Sequence, residues 1–120
     1  MGVLGLTFKP DTDDMREAAS LPILAHLHDA GARIQAFDPE GMESARALLP
    51  DGIIYCEDAL AAATDADILV VLTEWNVFRA IDPDRLSNAM RGKAIADLRN
   101  IWNPATMRAA GFEYSSIGRI

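Results

Sequence analysis

Side chains able to do chemistry gather in three stretches. The richest is Gly5-Leu6-Thr7-Phe8-Lys9-Pro10-Asp11-Thr12-Asp13-Asp14-Met15-Arg16-Glu17, with one lysine and one arginine among four carboxylates. The second, residues 73–79, holds Glu74, Trp75 and Arg79, and the third, residues 99–103, opens on Arg99. Lysine and arginine can grip a phosphate or a sugar hydroxyl, arginine through its planar fork of donors. The same cations can also pair with Asp11, Asp13 or Asp14 on a solvated surface. For Lys9 and Arg16, composition leaves both readings open. Arg99 is better placed, because it follows an apolar strand directly and so stands at the strand's carboxyl end.

Other candidates carry less. His26 and His28 are two apart on a predicted helix, which puts them on different faces and argues against a metal pair, so no metal site is expected. Cys56 has no histidine nearby in sequence to activate it, and reads as a small buried residue. Trp75 could stack on a ring, but packing over the sheet end is the simpler reading. No Ser-His-Asp set, H-E-x-x-H or G-x-x-x-x-G-K occurs. Gly2 and Gly5 do not form G-x-G-x-x-G: bulky Thr7 and Phe8 stand where a pyrophosphate would need close approach, and helix–sheet packing is the expected use of these glycines.

These groups need a scaffold. The predicted strands are residues 2–7, 32–37, 53–55, 67–72, 94–98 and 112–117. Between them, helical spacing covers residues 23–30, 40–49, 57–63, 82–90 and 104–110, with residues 73–78 as loop or a short turn. Thr12 or Asp13 is a plausible N-cap for the first helix, Pro22 fits only a first turn, and Gly31 suits the C′ position. Asp58 starts the alanine-rich helix, and Asp82-Pro83 and Asn103-Pro104 read as cap and first helical position. The run 67–72, apolar after Asp67, has the form of a central parallel strand buried on both faces. Strict alternation with short connections predicts a doubly wound, mostly parallel six-stranded α/β sheet with helices on both faces, strand order 3-2-1-4-5-6. Ligands of such sheets bind beyond the carboxyl ends of the strands near the switch point, and this edge collects all three chemical stretches.

A chain of 120 residues suits one domain with a real core. Its net charge of −7 argues against nucleic acid or an acidic membrane as partner, yet a few converging cations can still hold one phosphorylated small molecule. The longest apolar run, residues 68–72, is too short to span a bilayer, and no secretory signal opens the chain. A single cysteine fits a reducing cytosol, so a cytoplasmic location is expected.

The motifs G-L-T-F-K-P-D-T-D-D-M-R-E (5–17), F-D-P (37–39), L-T-E-W-N-V-F (72–78) and D-L-R-N (97–100) together resemble the C-terminal domain of the UDP-glucose/GDP-mannose dehydrogenase family. The T-E-W followed by F is most similar to the branch acting on UDP-glucose. The resemblance implies that Phe8, Lys9 and Arg99 hold UDP-glucose or a related UDP-sugar, Arg99 commonly in the site of a neighbouring subunit. It implies that Arg16 reaches toward the pyrophosphate of NAD, and that Glu74 and Trp75 are structural. Family members oxidise the C6 alcohol of a nucleotide sugar with two NAD, and their catalytic cysteine and lysine lie in an N-terminal NAD domain joined by a connecting helix. The expectation is therefore a single substrate-holding domain, residues 1–120, with no catalytic residue of its own, inactive alone, and dependent on the N-terminal domain and a homo-oligomer in the full enzyme. Alternatives are a standalone nucleotide-binding or regulatory module, or the dehydrogenase of another nucleotide sugar.

Overall fold

A computed structural model describes residues 1–7, 20–49 and 51–116. Among these, strands β1 (Gly2–Leu4), β2 (Gln35–Phe37), β3 (Ile54–Tyr55), β4 (Ile68–Val71), β5 (Ala94–Asp97) and β6 (Glu113–Ser116) alternate with helices. The helices are α1 (Ser20–Asp29), α2 (Met42–Leu48), α3 (Ala59–Ala63), α4 (Asn76–Arg79), α5 (Pro83–Ala89) and α6 (Pro104–Ala109). The strands form one sheet in the order β3-β2-β1-β4-β5-β6, as the alternation predicts. All five pairings are parallel. The order reverses between β1 and β4, where Val3 has Ala36 on one side and Val70 on the other.

Each face has its own apolar layer. Leu24 of α1 and Ala45 of α2 pack with Val3, Ala36 and Val70. Phe78, Leu86 and Met107, from α4, α5 and α6, pack with Leu4, Leu69, Val71 and Ile95 on the opposite face. Full burial of each such leucine or phenylalanine is worth about 1.5–3 kcal/mol, so the two layers are the main source of stability. The helix α3 is alanine apart from Leu60, and Ala59, Ala62 and Ala63 are all buried. Its close approach explains Gly2, because a Cβ there would lie 2.6 Å from the carbonyl oxygen of Ala62.

The helix caps follow the sequence. Asp58 accepts from Ala61 N at 2.7 Å, Asp82 from Asp84 N at 2.9 Å, and Asn103 from Ala105 N at 2.9 Å and Thr106 N at 3.2 Å. Gly31 closes α1 with φ +94°, its N–H donating to His28 O at 3.0 Å. The proposed caps Thr12 and Asp13 lie outside the described residues.

Three differences from the predicted elements have local causes. The first strand ends at Leu4 rather than residue 7, because Gly5 takes φ +95° and turns the chain. The second begins at Gln35 rather than residue 32, because Ala32 N–H still donates to Leu27 O at 3.0 Å and belongs to the helix terminus. The segment read as loop or short turn contains the one-turn helix α4, which places Phe78 in the core. The packing reading for both glycines is also corrected: it fits Gly2, but Gly5 opposes the loop after β4, where a Cβ would lie 2.6 Å from Thr73 N.

Candidate functional site

The carboxyl edge of the sheet is knitted by two buried aspartates. Asp38, directly after β2, has no solvent exposure. Its Oδ2 accepts from Leu6 N at 2.8 Å, Thr7 N at 3.1 Å, Thr7 Oγ1 at 3.2 Å and Trp75 Nε1 at 3.2 Å. Its Oδ1 accepts from Glu40 N at 2.9 Å and Gly41 N at 2.7 Å. Burying a carboxylate without donors would be very costly, and six donors from three loops offset that cost here. Thr7 is held from its other side too, since Thr73 Oγ1 donates to Thr7 O at 2.8 Å. Gly41 leaves the room Thr7 needs: a Cβ there would lie 2.3 Å from Thr7 Cγ2. The loops after β1, β2 and β4 are thus fixed to one another at Thr7, one residue before Phe8.

The second aspartate, Asp97, closes β5 and is equally buried. It accepts from Arg99 N at 3.1 Å, Ile101 N at 2.8 Å and Trp102 N at 3.2 Å, and from the Tyr114 hydroxyl. Asn100 takes φ +56°, a left-handed conformation that asparagine tolerates, and this bends the chain back onto the carboxylate. The turn presents Arg99, whose Nε donates to Leu72 O at 3.1 Å and lies 3.2 Å from Glu74 Oε2. With the two side chains 37% and 31% exposed, this ion pair adds little stability, on the order of 0–1 kcal/mol. Its consequence is orientation: Arg99, from the loop after β5, is tethered to the loop after β4.

Of the residues singled out in the sequence, the structure brings Arg99, Glu74 and Trp75 to one edge. Phe8, Lys9 and Arg16 lie outside the described residues. Trp75 packs as expected, and its buried indole N–H is satisfied by Asp38. Arg79 is tied to its own helix turn, donating to Asn76 Oδ1 at 3.1 Å. Cys56 is half-buried, and burial and the Asp58 carboxylate push its thiol above the ordinary range, opposite to what a nucleophile needs. No cluster of metal-ligating side chains occurs among the described residues, and no helix there is long and apolar enough to cross a membrane.

Sequence reasoning missed Asp38, Asp97, Thr7 and Thr73 as organisers. The available signal was an acidic residue at the carboxyl end of an otherwise apolar strand, in A-F-D-P and I-A-D-L. Such a carboxylate sits where loop N–H groups converge.

A concavity of roughly 790 Å³ lies at the opposite, amino edge, beside Met1, Gln35, Asp67 and Arg91. Three of its polar side chains are engaged with each other or with backbone. Arg91 Nε and Asp67 Oδ1 are 2.8 Å apart, and Gln35 Nε2 donates to Ala62 O at 3.2 Å and Thr64 O at 3.0 Å. In an open parallel sheet the ligand edge is the carboxyl one, where Arg99 stands.

The sequence profile of the UDP-glucose/GDP-mannose dehydrogenase family, UDP binding domain, matches residues 2–104. The chain belongs to this family. It is 50% identical over 119 residues to the UDP-glucose 6-dehydrogenase of Rhizobium meliloti (strain 1021), covering 99% of this chain and 27% of that protein. It is 37% identical over 119 residues to UDP-glucose 6-dehydrogenase TuaD of Bacillus subtilis (strain 168), covering 99% of this chain and 26% of that one. Among solved structures, the UDP-glucose dehydrogenase of Pyrobaculum islandicum superposes with a TM-score of 0.74 at 35% identity, over 95% of this chain and 24% of that chain. The NDP-N-acetyl-D-galactosaminuronic acid dehydrogenase of Methanosarcina mazei Go1 gives 0.83 at 27% identity, over 98% and 24%. The chain therefore spans about a quarter of the length of these relatives. Gly2 is taken up by Ala62 and Gly5 by Thr73, so neither glycine is left for a pyrophosphate.

Proposed function

We propose that this chain is the sugar-nucleotide-holding domain of a UDP-glucose 6-dehydrogenase, binding UDP-glucose or a related UDP-sugar at the carboxyl edge of its sheet. The observation that carries this reading is the meeting of the loops after β4 and β5 at Arg99, in a chain matching the family's UDP binding domain. Lys9 and Phe8, with Arg99 commonly entering the site of a neighbouring copy, are the proposed contacts to the UDP-sugar, Phe8 through its backbone. Arg16 is proposed to point toward NAD held by an N-terminal domain of a longer polypeptide, working as a homo-oligomer in the cytoplasm.

On this reading the chain binds and orients and does not make bonds. Converting the C6 alcohol to a carboxylate removes two hydrides and takes up one water, and two NAD, bound in turn, would accept the hydrides. Burial and the Asp58 carboxylate raise the thiol of Cys56, which does not suit it to act as the nucleophile. What the chain contributes is a fixed position for the nucleotide, and so for C6, which lowers the entropic part of the barrier.

Calorimetric titration with UDP and UDP-glucose tests the proposal. Saturable one-site binding is expected, and UDP at about 100 times its Kd should stabilise the chain by roughly 2.7 kcal/mol. Lys9→Ala should weaken UDP by about tenfold or more, the value of one charge-assisted contact, whereas Arg16→Ala should leave it within about twofold. Equal losses for both would refute the division of roles. No saturable binding, and no rise in melting temperature, would refute the site.

A further inference from the structure

We propose that Asp38, which presents no group to a ligand, is a positioning residue for sugar-nucleotide binding. It fixes the peptide of Thr7, the described residue that directly precedes the proposed contacts Phe8 and Lys9 in sequence. This rests on the ligand reading above and deepens it.

Thr7 is 3% exposed and is gripped by three of its own atoms. Its N–H and hydroxyl donate to Asp38 Oδ2, and its carbonyl accepts from Thr73. The preceding N–H, of Leu6, donates to the same oxygen at 2.8 Å. Consecutive peptide N–H groups on one carboxylate oxygen fix the orientation of the peptide planes, not merely the position of the chain. The clamp therefore sits directly before the two proposed ligand contacts in the sequence.

The oxygen that does this is itself immobile. Trp75 Nε1 approaches it from the loop after β4, and Glu40 and Gly41 N–H hold the other oxygen from the turn after β2. A displaced carboxylate would have to break contacts to all three loops. A neutral isostere cannot reproduce the set, because all six groups are donors. Asparagine must turn its NH₂ toward Leu6, Thr7 and Trp75 or toward Glu40 and Gly41.

The grip is purely polar, so its loss can be read residue by residue beside a measurement of overall stability. In the 120-residue chain, Asp38→Asn should speed amide hydrogen exchange of Leu6 and Thr7 at least tenfold relative to Ile95 in β5. It should raise the Kd for UDP about tenfold or more, since in either orientation at least two of the six hydrogen bonds are lost and the rest pass from a charged to a neutral acceptor. Thr73→Val, isosteric and removing only the hydroxyl donated to Thr7 O, should move both readouts the same way by a smaller factor, and it decides the matter if Asp38→Asn does not fold. Leu86→Ala, a core truncation on α5, should lower the melting temperature while leaving UDP affinity within about twofold, the behaviour of a purely structural change. Wild-type exchange at Leu6 and Thr7 in both folded variants would overturn the proposal, as would faster exchange with unchanged UDP affinity. If the wild-type chain itself takes no UDP, the ligand reading fails and takes the positioning role with it. The exchange arm then still reports whether the clamp on Thr7 exists, so the two failures are distinguishable.

Discussion

Asp38 and Asp97 are the same device used at two scales. Both stand at the carboxyl end of a strand, both are fully buried, and both gather backbone N–H groups. The donors of Asp97 are mostly its own neighbours, Arg99, Ile101 and Trp102, with the Tyr114 hydroxyl the one distant partner. Asp38 instead takes Leu6 and Thr7 from far upstream and Trp75 from far downstream. Asp97 therefore shapes a turn that its own segment almost completes. Asp38 cannot be satisfied until β1, β2 and β4 are side by side. A local hub orders one loop, the Arg99 loop, while a long-range hub makes the relative placement of three loops a consequence of sheet assembly.

The largest expected effect breaks that contrast directly. Asp38→Ala should cost about 3–5 kcal/mol, because N–H groups of three loops lose their acceptor in the interior. Asp97→Ala should cost less, about 2–4 kcal/mol, since its turn can relax toward solvent. Denaturant melts of the two variants rank them, and an Asp97 variant as costly as the Asp38 one would remove the distinction. Next come the glycines. Gly5→Ala should cost about 3 kcal/mol, from a positive φ plus a Cβ 2.6 Å from Thr73 N. Gly31 has nearly the same φ but nothing within 4 Å of the added Cβ, so Gly31→Ala should cost only about 1 kcal/mol. Similar losses at both would mean that the seam between the loops after β1 and β4 is not tight.

Between the two glycines, Tyr114→Phe should cost about 1–2 kcal/mol, since it removes the one hydroxyl shared by Asp97 Oδ2 and Trp102 O while keeping the ring buried. The weakest effect is expected at Cys56. Its raised folded-state pKa means that any contribution to stability is complete below the ordinary thiol range and is lost as pH climbs through the raised value. Alkylation in the native state should accordingly be slower than in denaturant at pH 8. Equal rates would show a thiolate as available as in the unfolded chain.

The sequence by itself determined the frame. The alternation of apolar runs and helical spacing gave the six-stranded order, because right-handed crossovers between buried parallel strands leave few ways to arrange them. Asp58, Asp82-Pro83, Asn103-Pro104 and Gly31 marked helix ends, since a cap is satisfied within a few residues and is legible in a short window. The four motifs gave the family. The loops' mutual placement was decided only in three dimensions. Nothing local distinguishes Asp38 in F-D-P from a solvated turn aspartate, because its defining donors are about thirty or more residues away in both directions. The role of Gly5 was likewise hidden, since only the pairing of β1 with β4 brings Thr73 against it. A periodic pattern records which face of an element is buried. It does not record which polar groups meet once those faces are covered, and at this sheet edge those meetings hold Thr7 and Arg99 in place.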